Sequence, residues 1–269
     1  MGFTSNHTSS NAASNRTTRS KPISALNAVR NTLRLPVLTS IPFSAQYFNA
    51  TRARKYSMQY NGLITDDCQL EAPTANAISE LAQQLHGSLS DQLQSLCITG
   101  VGNKAGRSSI AMLLANELTK YDLKILLVNG DLDKCMLRTY VGKQRHVGLA
   151  EVVASNQNLS TAIQPTSAEN LDFLSRGNPI ADRLMRNEVF DQQQWLAQAT
   201  QTYDLVIVDA APFNKTTSDN DRAIVDACDA NVLVVNQQHF GAWSKLALSN
   251  TIGALKSRSL GYVLNQSSN

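Results

Sequence analysis

The chain has 269 residues, 42% of them hydrophobic, enough for one large domain with a tail and for a real apolar core. No run approaches the roughly 18–20 unbroken apolar residues of a membrane span. The first twenty residues, rich in Ser, Thr and Asn, lack the apolar stretch of a signal peptide. The formal charge of +3 hides an asymmetry: residues 1–65 carry eight basic residues (Arg16, Arg19, Lys21, Arg30, Arg34, Arg52, Arg54, Lys55) and no Asp or Glu, so the rest is acidic on balance. A basic leader on a mildly acidic body suits contact with something negative, or a solvated tail. Cys68, Cys97, Cys135 and Cys228 show no paired spacing, which fits buried thiols in a reducing cytosol rather than disulfides or a zinc site. The four histidines are scattered without metal-ligand spacing.

Residues 1–20 are of low complexity and are expected to be disordered. Between Ser24 and Leu35, Leu26, Val29 and Leu33 recur at helical spacing, with Arg30 and Arg34 on another face. This short basic amphipathic piece suits a linker or a membrane surface and ends before Pro36. Residues 36–70 read as irregular, so 1–70 form a basic, Ser/Asn/Thr-rich leader and 71–269 the folded domain. A helix is expected over Ala75–His86, with Ile78, Leu81 and Leu85 on one side.

Strands and helices then alternate. Strands are expected at Leu96–Thr99, Lys124–Val128, Leu171–Leu174, Asp204–Val208, Asn231–Val235 and Gly261–Leu264. Helices are expected at Ser108–Leu118, Gly148–Ala154, Glu188–Thr200, Asp221–Ala227 and Trp243–Leu255. Continuous apolar strands separated by helices imply a parallel sheet covered on both faces. The fold class is therefore α/β, a three-layer, doubly wound, mostly parallel sheet. Right-handed crossovers place the strand ends on one edge, where such folds bind ligands. Polar residues collect there: the glycine loop after the first of these strands, Asn129, Gly130 and Asp131 after the second, Asp209 after Val208, and Asn265 after the last. Trp195 and Trp243 fall in helices and read as packing residues.

The stretch Leu96–Ala115 reads as a buried strand, a glycine-rich loop and a helix start. Such a loop exposes backbone N–H groups at a helix N-terminus and suits phosphate. Against the phosphate-loop consensus G-x4-G-K-[ST], Gly106 fits the second glycine and Ser108 the hydroxyl that would hold Mg2+. Val101 stands at the first glycine, between Gly100 and Gly102, and Arg107 replaces the lysine. The nucleotide-binding candidates are thus Gly102, Asn103, Lys104, Ala105, Gly106, Arg107, Ser108 and Ser109, joined by Asn265. Arginine keeps the charge of lysine but not its shape, so the exchange is not conservative.

This set of segments resembles the deviant-Walker P-loop proteins of the MinD/ParA group, and most of all the cytoplasmic ATPase domain of bacterial tyrosine kinases. The likeness runs from about Ser95 to Gln266. Ile98-Thr-Gly-Val resembles the strand into their Walker A segment, and Lys124-Ile-Leu-Leu-Val-Asn-Gly-Asp-Leu-Asp-Lys their Walker A′ strand. Gly148-Leu-Ala-Glu-Val-Val, Leu174-Ser-Arg-Gly-Asn-Pro and Tyr203-Asp-Leu-Val-Ile-Val-Asp-Ala-Ala-Pro follow in the family's order, the last as Walker B. The resemblance implies ATP or ADP with Mg2+ as cofactors, Asp131 and Asp209 as catalytic residues, and Ser108, Asp131 and Asp209 as metal ligands. It implies work in exopolysaccharide or capsule export, in the cytoplasm or peripherally at the inner face of the plasma membrane. The partners it implies are a membrane polysaccharide chain-length regulator, a paralogous ATPase or further copies of the chain, and no sequence-specific nucleic acid.

The chain departs from the family at several points. Arg107 replaces the Walker A lysine, Asn129 the first Walker A′ aspartate, and Asp133 an arginine. Glu71–Leu85 contains no arginine of the oligomerisation motif, and Tyr262 is the only tyrosine of the last sixty residues, where these kinases carry a cluster. One electrostatic contact to the transition state is worth about 2.7–4 kcal/mol, or 10²–10³ in rate. Two such losses leave little turnover. The reading is a catalytically degenerate regulator. The alternatives are an active kinase or ATPase rearranged around Lys104, Ser108, Asp131 and Asp209, and a positioning ATPase of the MinD/ParA type.

Overall fold

A computed structural model describes residues 35–55, 63–66, 69–89, 93–100, 104–131, 147–155, 157–178, 190–213, 217–236 and 257–266, with Leu137, Val141, Gly253 and Leu255 singly. In chain order the elements are β1 (Val37–Pro42), α1 (Ala45–Lys55), a 3-10 turn (Ile64–Asp66), α2 (Ala72–His86), β2 (Ser95–Gly100), α3 (Arg107–Leu118), a 3-10 turn (Thr119–Tyr121) and β3 (Ile125–Gly130). Then come α4 (Leu149–Ser155), α5 (Leu159–Ala162), β4 (Ile163–Pro165), β5 (Leu171–Leu174), α6 (Gln193–Thr200), β6 (Leu205–Ala210), α7 (Asp219–Ala227), β7 (Ala230–Asn236) and β8 (Arg258–Gln266).

The strands form one eight-stranded sheet in the order β1-β8-β7-β2-β6-β3-β5-β4. All neighbours are parallel except β4 and β5. The four central strands β7, β2, β6 and β3 are buried along their whole length. That follows from their unbroken apolar runs, which suit a sheet covered on both faces. Side chains alternate between two cores. Ile98, Leu127, Ile207 and Val232 pack with Ile78 and Leu81 of α2 and Ile110 and Leu114 of α3. Cys97, Val128, Val206 and Val208 pack on the other face with Leu149, Trp195, Leu196 and Ile224 of α4, α6 and α7. This is the expected three-layer, doubly wound architecture. Cys97 and Cys228 are buried free thiols, and burial pushes the Cys97 thiol upward, helped by its hydrogen bond with Cys228. Trp195 is a packing residue as expected, its indole N–H donating to Gln192 Oε1 at 2.8 Å.

The stretch 36–70 differs from the irregular chain expected of it, because it holds β1 and α1. Edge strand β1 owes its backbone partners to β8, with Val37 opposite Tyr262 and Ile41 opposite Asn265. No local pattern reveals a pairing so far along the chain. Helix α1 hides from a periodicity search because its buried side includes Arg54, whose guanidinium donates to the Leu63 carbonyl at 2.7 Å. Ser44 starts it, its Oγ accepting the Tyr47 N–H.

Two boundaries also move. Helix α6 begins at Gln193 rather than Glu188, since the Phe190 N–H is spent on Asn220 Oδ1 and Asp191 accepts the Gln193 N–H. Helix α7 begins at Asp219, capped by Ser218, whose Oγ accepts the Asp221 N–H. The helices expected before residue 35 and over Trp243–Leu255 lie outside the described residues, Gly253 and Leu255 apart. Among the described residues no helix is long and apolar enough to cross a membrane.

Candidate functional site

The connections explain where a ligand can sit. From β2 the chain passes through α3 to β3 on one side, and from β6 through α7 to β7 on the other. The carboxyl ends of β2 and β6 therefore lie at the crevice where the winding reverses, the usual binding place in open α/β sheets. β2 delivers the glycine loop there, β6 delivers Asp209, β3 delivers Asn129 and Asp131, β7 ends in Asn236, and β8 brings Asn265 one residue before its end.

The loop is built to stay open at its helix end. Gly106 has φ +93°, a left-handed conformation, and a Cβ there would strike the Asn265 amide. Only glycine meets both demands. No side chain caps α3, whose first hydrogen bond runs from the Ile110 N–H to the Gly106 carbonyl. The first-turn N–H groups of a twelve-residue helix thus face the loop, an arrangement that favours anions. Two amides hold the loop from the flank. Asn265 Nδ2 donates to the Ala105 carbonyl at 2.8 Å, and Asn236 Nδ2 to the Lys104 carbonyl at 3.5 Å. Thr99 Oγ1 donates to the Ala211 carbonyl and the Phe213 N–H to the Gly100 carbonyl, each at 2.8 Å, tying the end of β2 to the turn after β6.

Arg107 does not project into solvent. It is only 6% exposed; Nη1 donates to the Ala210 carbonyl at 2.5 Å, and Nη2 pairs with Asp131 Oδ2 at 3.3 Å. The stem passes Gly100, where an added Cβ would meet Arg107 Cδ and collide with the Val234 carbonyl. Asp209 is 1% exposed, beside Ile98 of β2 and Asn129 of β3 in the sheet register. Its carboxylate is buried, with the Ser108 hydroxyl as its neighbouring hydrogen-bond donor. Burial pushes its pKa from the ordinary 3.8 up to about 7; the Asp131 carboxylate adds to the rise, while the Arg107 guanidinium and the nearby Ser108 hydroxyl oppose it.

The structure therefore brings Arg107, Ser108, Asp131, Asp209 and Asn265 to one cleft, with Ala105 and Gly106 forming its loop and Ser109 following in α3. Lys104 is exposed, with φ 60°. Gly102, Asn103 and Asp133 lie outside the described residues. Of the three side chains expected to hold Mg2+, Ser108 and Asp209 fit that hard cation as neighbouring oxygen ligands, a hydroxyl and a buried carboxylate. Asp131 already spends an oxygen on Arg107. Sequence reasoning missed Asn236 and the Ala210 carbonyl. A polar residue directly after the apolar run Val232–Val235 was a signal for the first, and no side-chain pattern could have shown the second.

Known proteins share this fold. Tyrosine-protein kinase ptk of Acinetobacter johnsonii is 27% identical over 68% of this chain, and the match covers 25% of that relative. Tyrosine-protein kinase wzc of Salmonella typhi is 28% identical over 59% of this chain, which covers 22% of that relative. The chain thus spans a quarter or less of the length of these two kinases. The kinase domain of Escherichia coli tyrosine kinase ETK superposes with a TM-score of 0.71 at 22% identity, covering 88% of this chain and 95% of that one. The septum site-determining protein MinD of Pyrococcus horikoshii, complexed with Mg-ADP, gives a TM-score of 0.55 at 18% identity over 64% of this chain and 70% of its own. At such identities the structural likeness is one of fold. Residues 98–265, more than half of the chain, match the AAA domain family, and the chain belongs to that family of P-loop domains.

Proposed function

We propose that this chain binds an adenine nucleotide at the carboxyl edge of its sheet and acts as a regulator in exopolysaccharide or capsule export, with little or no phosphoryl transfer of its own. The observation that carries this reading is the placement of Arg107. Where a phosphate-loop lysine reaches the β- and γ-phosphates, this side chain is held on Asp131 and the Ala210 carbonyl. Phosphoryl transfer depends on positioning and charge stabilisation. Here the lysine is gone, and one Walker A′ carboxylate is replaced by Asn129. The loop, the uncapped helix start and the amides of Asn236 and Asn265 still support a phosphate site. Mg2+, when bound, would shield phosphate charge, with Ser108 and Asp209 as its protein ligands.

The partners that fit this reading are a membrane chain-length regulator or an active paralogous ATPase, at the inner face of the plasma membrane, and the relatives named as tyrosine-protein kinases support the second. Further copies of the chain are a third partner class. The test is incubation of purified protein with labelled ATP and Mg2+, alone and mixed with an active kinase domain of the family. The expected result is no autophosphorylation alone and a changed rate in the mixture. Tyrosine phosphorylation by the purified chain, lost in Asp209→Ala and Lys104→Ala, would establish the active-kinase alternative instead.

A further inference from the structure

Resting on the nucleotide-binding reading, we infer that Arg107 is the resident cation of the phosphate site: its guanidinium takes the place of a divalent metal at Asp131, so that the nucleotide binds without Mg2+. A phosphate site needs positive charge, and a P-loop fold normally recruits it as lysine plus metal. In this chain the Arg107 guanidinium sits on Asp131, one of the carboxylates expected to hold the metal. Its Nη2 is 3.3 Å from Asp131 Oδ2, with the two side chains 6% and 3% exposed, so the pair is screened from water and salt.

The arginine is fixed at a second point by Nη1 on the Ala210 carbonyl. Two acceptors on different strands, each held by its own nitrogen, suit a planar fork rather than the point charge of an ammonium. The fork has five N–H donors, so with two engaged it keeps others for phosphate oxygens. Bidentate contact with phosphate is the usual mode of a guanidinium.

The cation answers one of the two carboxylates of the site, Asp131, and leaves Asp209 as the other. Arg107 cancels Asp131, and Asn129 places a neutral amide where a further carboxylate would call for a dication. Mg2+ dehydrates reluctantly and favours an octahedral oxygen shell, so a site that has already paired one carboxylate gives it little advantage. Ser108 and Asp209 can admit the ion; nucleotide affinity does not depend on it.

The experiment is calorimetric titration of the full chain with ADP and with ATP, in excess EDTA and in excess MgCl2, on the wild type, Arg107→Lys and Asp131→Asn. The wild type is expected to bind equally in both buffers. Arg107→Lys is expected to lose affinity in EDTA and recover it in Mg2+ by about tenfold or more, the worth of one charge-assisted contact. Asp131→Asn, which frees the guanidinium for phosphate, is expected to bind more tightly in EDTA. Tenfold tighter wild-type binding in Mg2+ overturns the inference and leaves the nucleotide reading standing. So does an Asp131→Asn variant that weakens only in Mg2+, because Asp131 would then be a metal ligand. No wild-type binding in either buffer overturns the nucleotide reading, and the inference with it. Asp131→Asn alone decides the matter if Arg107→Lys does not fold.

Discussion

Asp209→Asn should stabilise the protein, and by more at alkaline pH than at acid pH. Burial raises the carboxyl of Asp209 from 3.8 to about 7, so the folded state holds its proton long after the unfolded chain has released one. Between these values the folded state binds more protons than the unfolded state. Stability therefore falls as pH rises through the window and levels off above 7. At about 1.4 kcal/mol per pKa unit, a rise of roughly three units amounts to about 4 kcal/mol of lost stability, of which about 2–3 kcal/mol accrues between pH 5 and pH 8. Asparagine keeps the shape and removes the titration. The assay is urea denaturation of wild type and variant at both pH values, with EDTA present and nucleotide absent so that no added cation or phosphate shifts the group. The gain from the substitution should be larger near pH 8 by that amount. An equal gain at the two pH values, or a larger one at pH 5, would refute the reasoning that desolvation governs this carboxyl.

Other expected outcomes concern the frame around the site. Gly106→Ala should cost about 1–3 kcal/mol of stability in a thermal melt, since it combines a left-handed φ with a clash at Asn265. Asn265→Ala should lower stability by about 1 kcal/mol through loss of its bond to the Ala105 carbonyl, and should weaken nucleotide binding in a titration. Ile41→Ala, in β1, should cost about 2–5 kcal/mol in urea denaturation, because Ile41 belongs to the main core. A neutral result there would mean that β1 contributes nothing to the fold. Asp229→Ala should destabilise by about 1.5–3 kcal/mol or more, because its Oδ2 accepts from the Gln94 N–H, the Ser95 N–H and the Ser95 hydroxyl.

The sheet was legible where burial is complete. Ile125–Val128 and Leu205–Val208 are continuous apolar runs because both faces are covered, and a run followed at once by Asn129 or Asp209 marks a strand end at the crevice. The site residues Arg107, Ser108, Asp131, Asp209 and Asn265 were legible for the same reason: each lies at the carboxyl end of a strand, just after it, or at the helix start beyond its loop. What the sequence could not display is partnership. That β1 pairs with β8 depends on chain segments far apart, and the polar stripe of α1 gives no apolar period to detect. Arg107 read only as a lysine replaced. Its contacts with the Ala210 carbonyl and Asp131 come from three separate segments and appear only when the sheet assembles.

The parallel alignment of β1 with β8 also fixes a direction of departure. Pro42 lies beside Gln266, next to the Asn265 that steadies the phosphate loop, whereas Val37 lies beside Tyr262, toward the opposite rim. Six residues of strand span about 20 Å, so the described fold begins at the rim of the sheet opposite the candidate cleft, and a change at Val37 reaches the glycine loop only through the length of β1 and its pairing with β8.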